Sequence, residues 1–165
     1  MADYTIYDNL LHDQDFLKIK SIFMGNEFPW FYQDHIVTGD RFNGQYQFTH
    51  NILRDGVSSP YIDTVGPILS AIGAKELYRI KANLKGRTES QEEGGWHTDF
   101  PPEELICMTG VFYLNTNNGY TTFKDGSIVE SIENRFVAFK SDQLHSGVSH
   151  TDTKVRCVIN INYDV

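Results

Sequence analysis

The sequence predicts a mainly β domain in which N-terminal helices pack against one face of an antiparallel sandwich or barrel. Three observations carry this expectation. Apolar residues recur with a helical period in two stretches before residue 75. From Glu76 onward the period changes to two. Seven such alternating runs, each bounded by Gly, Asn, Asp or Ser, fill the remainder of the chain.

The elements follow in order. Tyr4 and Ile6 alternate with Thr5 and Tyr7, which predicts a short strand. Asp13 offers an N-cap, and Phe16, Ile19, Ile22 and Phe23 share one helical face that ends near Gly25. A second helix is expected over 61–72, with Val65, Ile68, Leu69 and Ile72 as its apolar stripe and Gly73 placed to end it. Pro67 lies inside that stretch, where it removes a hydrogen bond and predicts a kink. Tyr78, Ile80, Ala82 and Leu84 then alternate with Arg79, Lys81 and Asn83. Further strands are expected over 105–115, 120–124, 127–130, 135–139, 144–149 and 154–163. In the last of these, Val155, Cys157, Ile159 and Ile161 point one way, a face suited to packing on the helices. Arg156, Val158, Asn160 and Asn162 point the other way and resemble a cavity lining. Residues 105–115 carry large apolar groups on both faces, as a strand covered on both sides requires.

Composition narrows the function classes. A chain of 165 residues with 40% hydrophobic and 22% charged residues is long enough for one domain and too apolar to be disordered. Its net charge of −8 lacks the basic footprint of phosphate-dominated binding, so nucleic-acid partners are disfavoured. Cys107 and Cys157 both sit in apolar alternating runs and are expected to be buried free thiols. The start, Met1-Ala2-Asp3-Tyr4, lacks the basic and apolar regions of a signal peptide. No apolar run approaches the roughly 20 residues that span a bilayer. The expectation is a cytoplasmic protein with no membrane partner.

His97-Thr98-Asp99 places an imidazole and a carboxylate two residues apart, on one face of any extended segment. Alone this motif is weak. His145, which follows the 135–139 strand, can supply a third ligand if the sheet closes on itself. Two histidines and one carboxylate on one face of a metal leave open positions suited to non-haem Fe(II) and O₂. Arg156 adds a planar fork for a carboxylate on the inward face of the last strand. His150, five residues after His145, lies among Thr151, Asp152 and Thr153, a turn composition that predicts exposure. His12, His35 and His50 have no partner at ligand spacing and are expected at the surface or the edge of the core.

With these residues in place, the chain resembles the Fe(II)- and 2-oxoglutarate-dependent dioxygenases, in particular their prolyl-hydroxylase-like branch. The stretches that carry the resemblance are Gly94-Gly95-Trp96-His97-Thr98-Asp99-Phe100-Pro101, Val111-Phe112-Tyr113-Leu114-Asn115, Asn134-Arg135-Phe136-Val137-Ala138-Phe139, Leu144-His145-Ser146-Gly147 and Lys154-Val155-Arg156. The resemblance implies a double-stranded β-helix, a jelly-roll or cupin-like barrel, with the helices on its larger sheet. It implies one domain over 1–165, with 1–75 as a helical support and 76–165 as the metal-binding β core. His97, Asp99 and His145 match the metal and catalytic triad. Arg156 matches the residue that pairs with the distal carboxylate of 2-oxoglutarate, and Tyr113 matches a tyrosine bound to the same group. The implied reaction couples oxidative decarboxylation of 2-oxoglutarate to C–H hydroxylation, with O₂ as the other co-substrate. The primary substrate it implies is a peptidyl or free amino acid.

Two departures stand out. Leu84 occupies the place where relatives often carry a tyrosine before the metal motif, which leaves Asn83 or Thr122 as substitutes for contacts to the near carboxylate. Gly119-Tyr120 stands where relatives often have Gly-Gly. The acidic segment 88–95 reads as a mobile solvated loop, and its approach to the metal motif makes it a candidate lid. Three other readings share the same residues: a cupin-like metalloenzyme independent of 2-oxoglutarate, a non-catalytic jelly-roll binding module, and a 2-oxoglutarate sensor.

Overall fold

A computed structural model describes residues 1–37 and 44–165. Along these, β1 (Tyr4–Tyr7) leads to α1 (Asp13–Phe23), then to β2 (Phe31–Gln33), β3 (Gln47–Arg54) and β4 (Val57–Ser58). A 3₁₀ turn (Ile62–Val65) and α2 (Gly66–Ala71) follow. The rest of the chain forms β5 (Glu76–Gly86), β6 (Met108–Tyr113), β7 (Tyr120–Phe123), β8 (Ile128–Glu130), β9 (Arg135–Lys140), β10 (His145–Val148) and β11 (Val155–Asp164). The larger sheet has the order β1-β9-β6-β11-β5-β3-β2, with β4 paired to β3. The smaller has the order β10-β7-β8. The pairings are antiparallel throughout.

All seven strands expected after Glu76 are present, whereas β2, β3 and β4 escape the sequence reading. In β3 a bulge between Asn51 and Leu53 shifts the register against β5, so the side-chain alternation changes phase halfway along. The first 75 residues therefore contribute strands to the larger sheet as well as helices. Two helix expectations also need correction. Asp13 is the first residue of α1 rather than its cap; His12 precedes the helix and makes no side-chain capping bond. Pro67 lies in the first turn of α2, where its missing N–H has no helical partner to lose, so it starts a helix instead of kinking one.

Two apolar layers flank the larger sheet. On one side Phe16, Ile19 and Phe23 of α1, with Val65 and Ile68, meet Ile80, Ala82, Phe112, Cys157, Ile159 and Ile161. At 11 residues α1 is too short to persist alone in water, so burial of this face holds it; each such side chain contributes about 1.5–3 kcal/mol. On the other side Val111, Tyr113, Phe123, Val129, Val137, Phe139 and Val158 fill the space between the sheets. The two free cysteines are buried, as expected. Alternation along β5 and β11 then aims Arg79, Lys81, Asn83 and Lys85, and Arg156, Val158, Asn160 and Asn162, toward the inter-sheet space. Opposed pairs across the two strands include Arg79 with Asn162, Lys81 with Asn160, and Lys85 with Arg156.

Candidate metal centre

His97 and His145 bind each other through their backbones: each N–H donates to the other's carbonyl at 3.1 Å. Asp99 N–H continues the pairing by donating to the Ser141 carbonyl at 3.1 Å. The 97–99 segment thus runs extended beside the start of β10, which puts His97 and Asp99 on one face and His145 opposite. One ligand atom from each of His97, Asp99 and His145 lies within 4.8 Å of the others. Both Nε2 atoms stand 3.9 Å from Asp99 Oδ1.

The remaining ring nitrogens fix how these groups present themselves. His97 Nδ1 lies 3.1 Å from the Gly95 carbonyl, and His145 Nδ1 lies 2.9 Å from the Gln143 carbonyl. A carbonyl can only accept, so each Nδ1 is the donor there and each Nε2 is the nitrogen that faces Asp99. Asp99 Oδ2 accepts from Thr109 Oγ1 and Asn162 Nδ2, each at 2.7 Å, while Arg79 Nη2 reaches Oδ1 at 3.1 Å. Burial alone would raise the Asp99 pKa, but His145, Arg79, Thr109 and Asn162 outweigh it and hold the carboxyl at about 2. Burial, then the charge of His145, pushes His97 down to about 4. At neutral pH the pair is an anionic carboxylate and a neutral imidazole, the states a divalent metal needs.

The donor set fits Fe(II): two imidazole nitrogens and one carboxylate oxygen converge, and three neighbours orient the carboxylate. A cavity of about 100 Å³ opens from His97 and His145 and reaches Arg156, with Asn83, Val111 and Val158 among its walls. Arg156 Nε donates to Ser131 Oγ at 2.9 Å, and its guanidinium carbon lies 5.7 Å from the centre of the Tyr113 ring. Gly119 gives the arginine its path, since a Cβ there would sit 2.9 Å from Arg156 Cδ.

Among the predicted contacts, Asn83 lines this cavity, and its Oδ1 is buried without a hydrogen-bond partner. Tyr113 is fully buried behind the wall, with its hydroxyl 2.8 Å from Thr121 Oγ1. Thr122 is a correction. Its neighbour Thr121 lines the cavity instead, because alternation in β7 turns Thr121 and the core residue Phe123 inward and Thr122 away. Leu84 likewise packs against the helix side, so Lys85 and Asn83 are the neighbouring positions that face the cavity.

His150 is a second correction: it is fully buried rather than exposed at a turn. Segment 88–95 runs beside the 147–150 stretch and does not stand free as a mobile loop. Thr88 N–H donates to the His150 carbonyl at 3.1 Å. Glu92 N–H donates to Ser149 Oγ at 2.8 Å, and Gly94 N–H to the Gly147 carbonyl at 2.9 Å. His50 is buried at the core edge among Phe28, Phe31 and Tyr61.

The sequence reading missed Thr109, Arg79 and Asn162 as partners of Asp99, and Lys81 and Lys85 as cavity residues. One signal could have found them. The cations Arg79, Lys81 and Lys85 on one face of β5, opposite a face of Ile80, Ala82 and Leu84, have no reason to point inward unless a polar site awaits them.

No protein-family model matches the chain, and no curated protein matches it. Solved structures do. A Burkholderia pseudomallei oxidoreductase of the 2OG-Fe(II) oxygenase family aligns with a TM-score of 0.71 at 11% identity, over 98% of this chain and 84% of its own. A Trichoplax adhaerens prolyl hydroxylase, solved with a hypoxia inducible factor oxygen degradation domain peptide fragment, gives 0.66 at 14% identity, over 98% and 83%. A Pseudomonas putida prolyl-4-hydroxylase gives 0.65 at 12% identity, over 100% and 94%. The chain has the fold of the 2-oxoglutarate- and Fe(II)-dependent oxygenases, prolyl hydroxylases included.

Proposed function

We propose that this protein is an Fe(II)- and 2-oxoglutarate-dependent dioxygenase, a hydroxylase of a peptidyl or free amino acid, built as one domain on a double-stranded β-helix. The observation that carries the reading is the convergence of His97, Asp99 and His145 at the end of a cavity that Arg156 also lines. A metalloenzyme of the cupin kind needs the three ligands but has no use for the arginine.

His97 Nε2, His145 Nε2 and one Asp99 oxygen would hold the metal. Bound Fe(II) supplies the means to couple O₂ reduction and 2-oxoglutarate decarboxylation to oxidation of a C–H bond. Arg156 grips the distal carboxylate of 2-oxoglutarate with its free guanidinium nitrogens while Ser131 holds Nε. Tyr113 acts behind it, fixing Thr121 and lying beside the guanidinium. Val111 and Val158 form an apolar wall that excludes water between the two ends of the co-substrate. Asn83, which lines the same cavity, would donate its side-chain N–H to the near carboxylate.

Anaerobic addition of Fe(II) and then 2-oxoglutarate tests the reading. A weak visible charge-transfer band should form, and admission of air should release succinate. Absence of the band in wild type would favour the 2-oxoglutarate-independent metalloenzyme, and an unchanged 2-oxoglutarate affinity in Arg156→Met would remove the arginine from the co-substrate site. A band without succinate would indicate a sensor.

A further inference from the structure

Two cavities meet at Lys81. It lines the cavity of His97, His145 and Arg156, and also a second one of about 320 Å³ beside it. Ile36 and Gln47 are common to both. The second cavity is polar. Gln33 from β2, Thr49 and Asn51 from β3, and Arg79 are among its walls. It therefore offers hydrogen-bonding groups next to the first cavity, and Arg156 is not among its walls.

The cations around the site are not equivalent. Arg79 is committed to Asp99 and to Asn162, whose Oδ1 accepts from Nε at 3.0 Å. Arg156 is held by Ser131, and Lys85 Nζ donates to Gln45 Oε1 at 3.3 Å. Among the described residues, Lys81 makes no hydrogen bond and no ion pair. Its cross-strand neighbours are Asn160 and Asn51, and Asn160 Oδ1 is itself buried without a donor. Burial, then the charge of Arg79, pushes the Lys81 pKa down to about 8, so the ammonium is still charged at neutral pH. A half-buried, unpaired ammonium is unfavourable, and an anion brought to it offsets that cost. The unpaired charge is a single one. A carboxylate matches it, whereas a doubly charged phosphate would leave a negative charge uncompensated.

We propose that Lys81 binds the carboxylate of the primary substrate, a small molecule with a free carboxylate, such as an amino acid, seated in the polar cavity. This rests on the oxygenase reading, in which 2-oxoglutarate is held by Arg156 and the metal and leaves Lys81 to a second anion. It narrows that reading from an internal residue of a polypeptide to a free acid.

Calorimetric titration of the protein loaded with Mn(II), an O₂-inert stand-in for Fe(II), and saturated with 2-oxoglutarate tests the assignment. The probes are the free amino acids, each beside its α-amide, and inorganic phosphate. At least one acid should bind at least tenfold more tightly than its amide. Lys81→Met should abolish that preference and Lys81→Arg should restore it, while 2-oxoglutarate binds both variants within twofold of wild type. Equal binding of acid and amide, binding of none of the acids, or tighter binding of phosphate would overturn the proposal. So would a tenfold loss of 2-oxoglutarate affinity in Lys81→Met, which would assign the lysine to the co-substrate. If wild type bound Mn(II) but no 2-oxoglutarate, the oxygenase reading itself would fail, and this one with it.

Discussion

Asn162 on β11 and Thr109 on β6 donate to the same oxygen of Asp99, each at 2.7 Å, and Asn162 Nδ2 also donates to Thr109 Oγ1 at 2.9 Å. The Asp99 carboxylate is thus oriented by two adjacent strands of the larger sheet, though it belongs to neither.

Removing one of these donors should loosen the metal more than the fold. Thr109→Val keeps the side-chain shape and deletes the hydroxyl, and it should weaken metal binding by about 10–100-fold. Competition between the protein and a fluorescent chelator for Mn(II) measures this. Unchanged affinity would mean that Arg79 and Asn162 suffice.

Gly119→Ala should disturb the arginine without touching the metal ligands. Its Cβ would sit 2.8 Å from the Val148 carbonyl oxygen and 2.9 Å from Arg156 Cδ. Asn117 Oδ1 would lie 2.8 Å away as well, but it is held by the Gly119 N–H and the Val148 oxygen is backbone, so the flexible Arg156 side chain moves. The 2-oxoglutarate dissociation constant should rise on the order of tenfold, equivalent to about 1.4 kcal/mol, with Mn(II) affinity within twofold of wild type.

Gly110→Ala tests packing at the centre of β6. A Cβ there would lie 2.1 Å from Phe136 Cζ, on a ring that is fully buried and has nowhere to go. Overpacking of this kind destabilises by roughly 1–3 kcal/mol, readable as a lower urea midpoint at unchanged slope.

His97 gives a pH dependence with a defined sign. Folding holds its pKa at about 4, mainly by burial and then by His145, whereas the unfolded chain keeps it near 6.5. The unfolded state therefore takes up a proton first, and stability falls as pH drops from about 6.5 toward 4. In metal-free protein, the stability of wild type relative to His97→Gln should decline across that window in urea titrations. Parallel curves would place the imidazole in solvent.

The sequence by itself determined the local features whose cause is local. Period-two alternation in β11 assigns Cys157, Ile159 and Ile161 to one face and Arg156, Asn160 and Asn162 to the other, because a pleated strand leaves no alternative. The pair His97 and Asp99 is legible for the same reason. Tertiary structure decided whatever depends on which strands become neighbours. It brings His145 beside His97 through reciprocal backbone bonds, and it buries His150. It turns Thr121 rather than Thr122 inward, because pairing of β7 with β10 sets the phase of an alternation whose two threonines look alike in sequence. Strand β3 stayed illegible because a bulge breaks its period and because it draws its place from pairing with β5. The partners of Asp99 lie on strands far from it along the chain, and only closure of the sheets carries them to it.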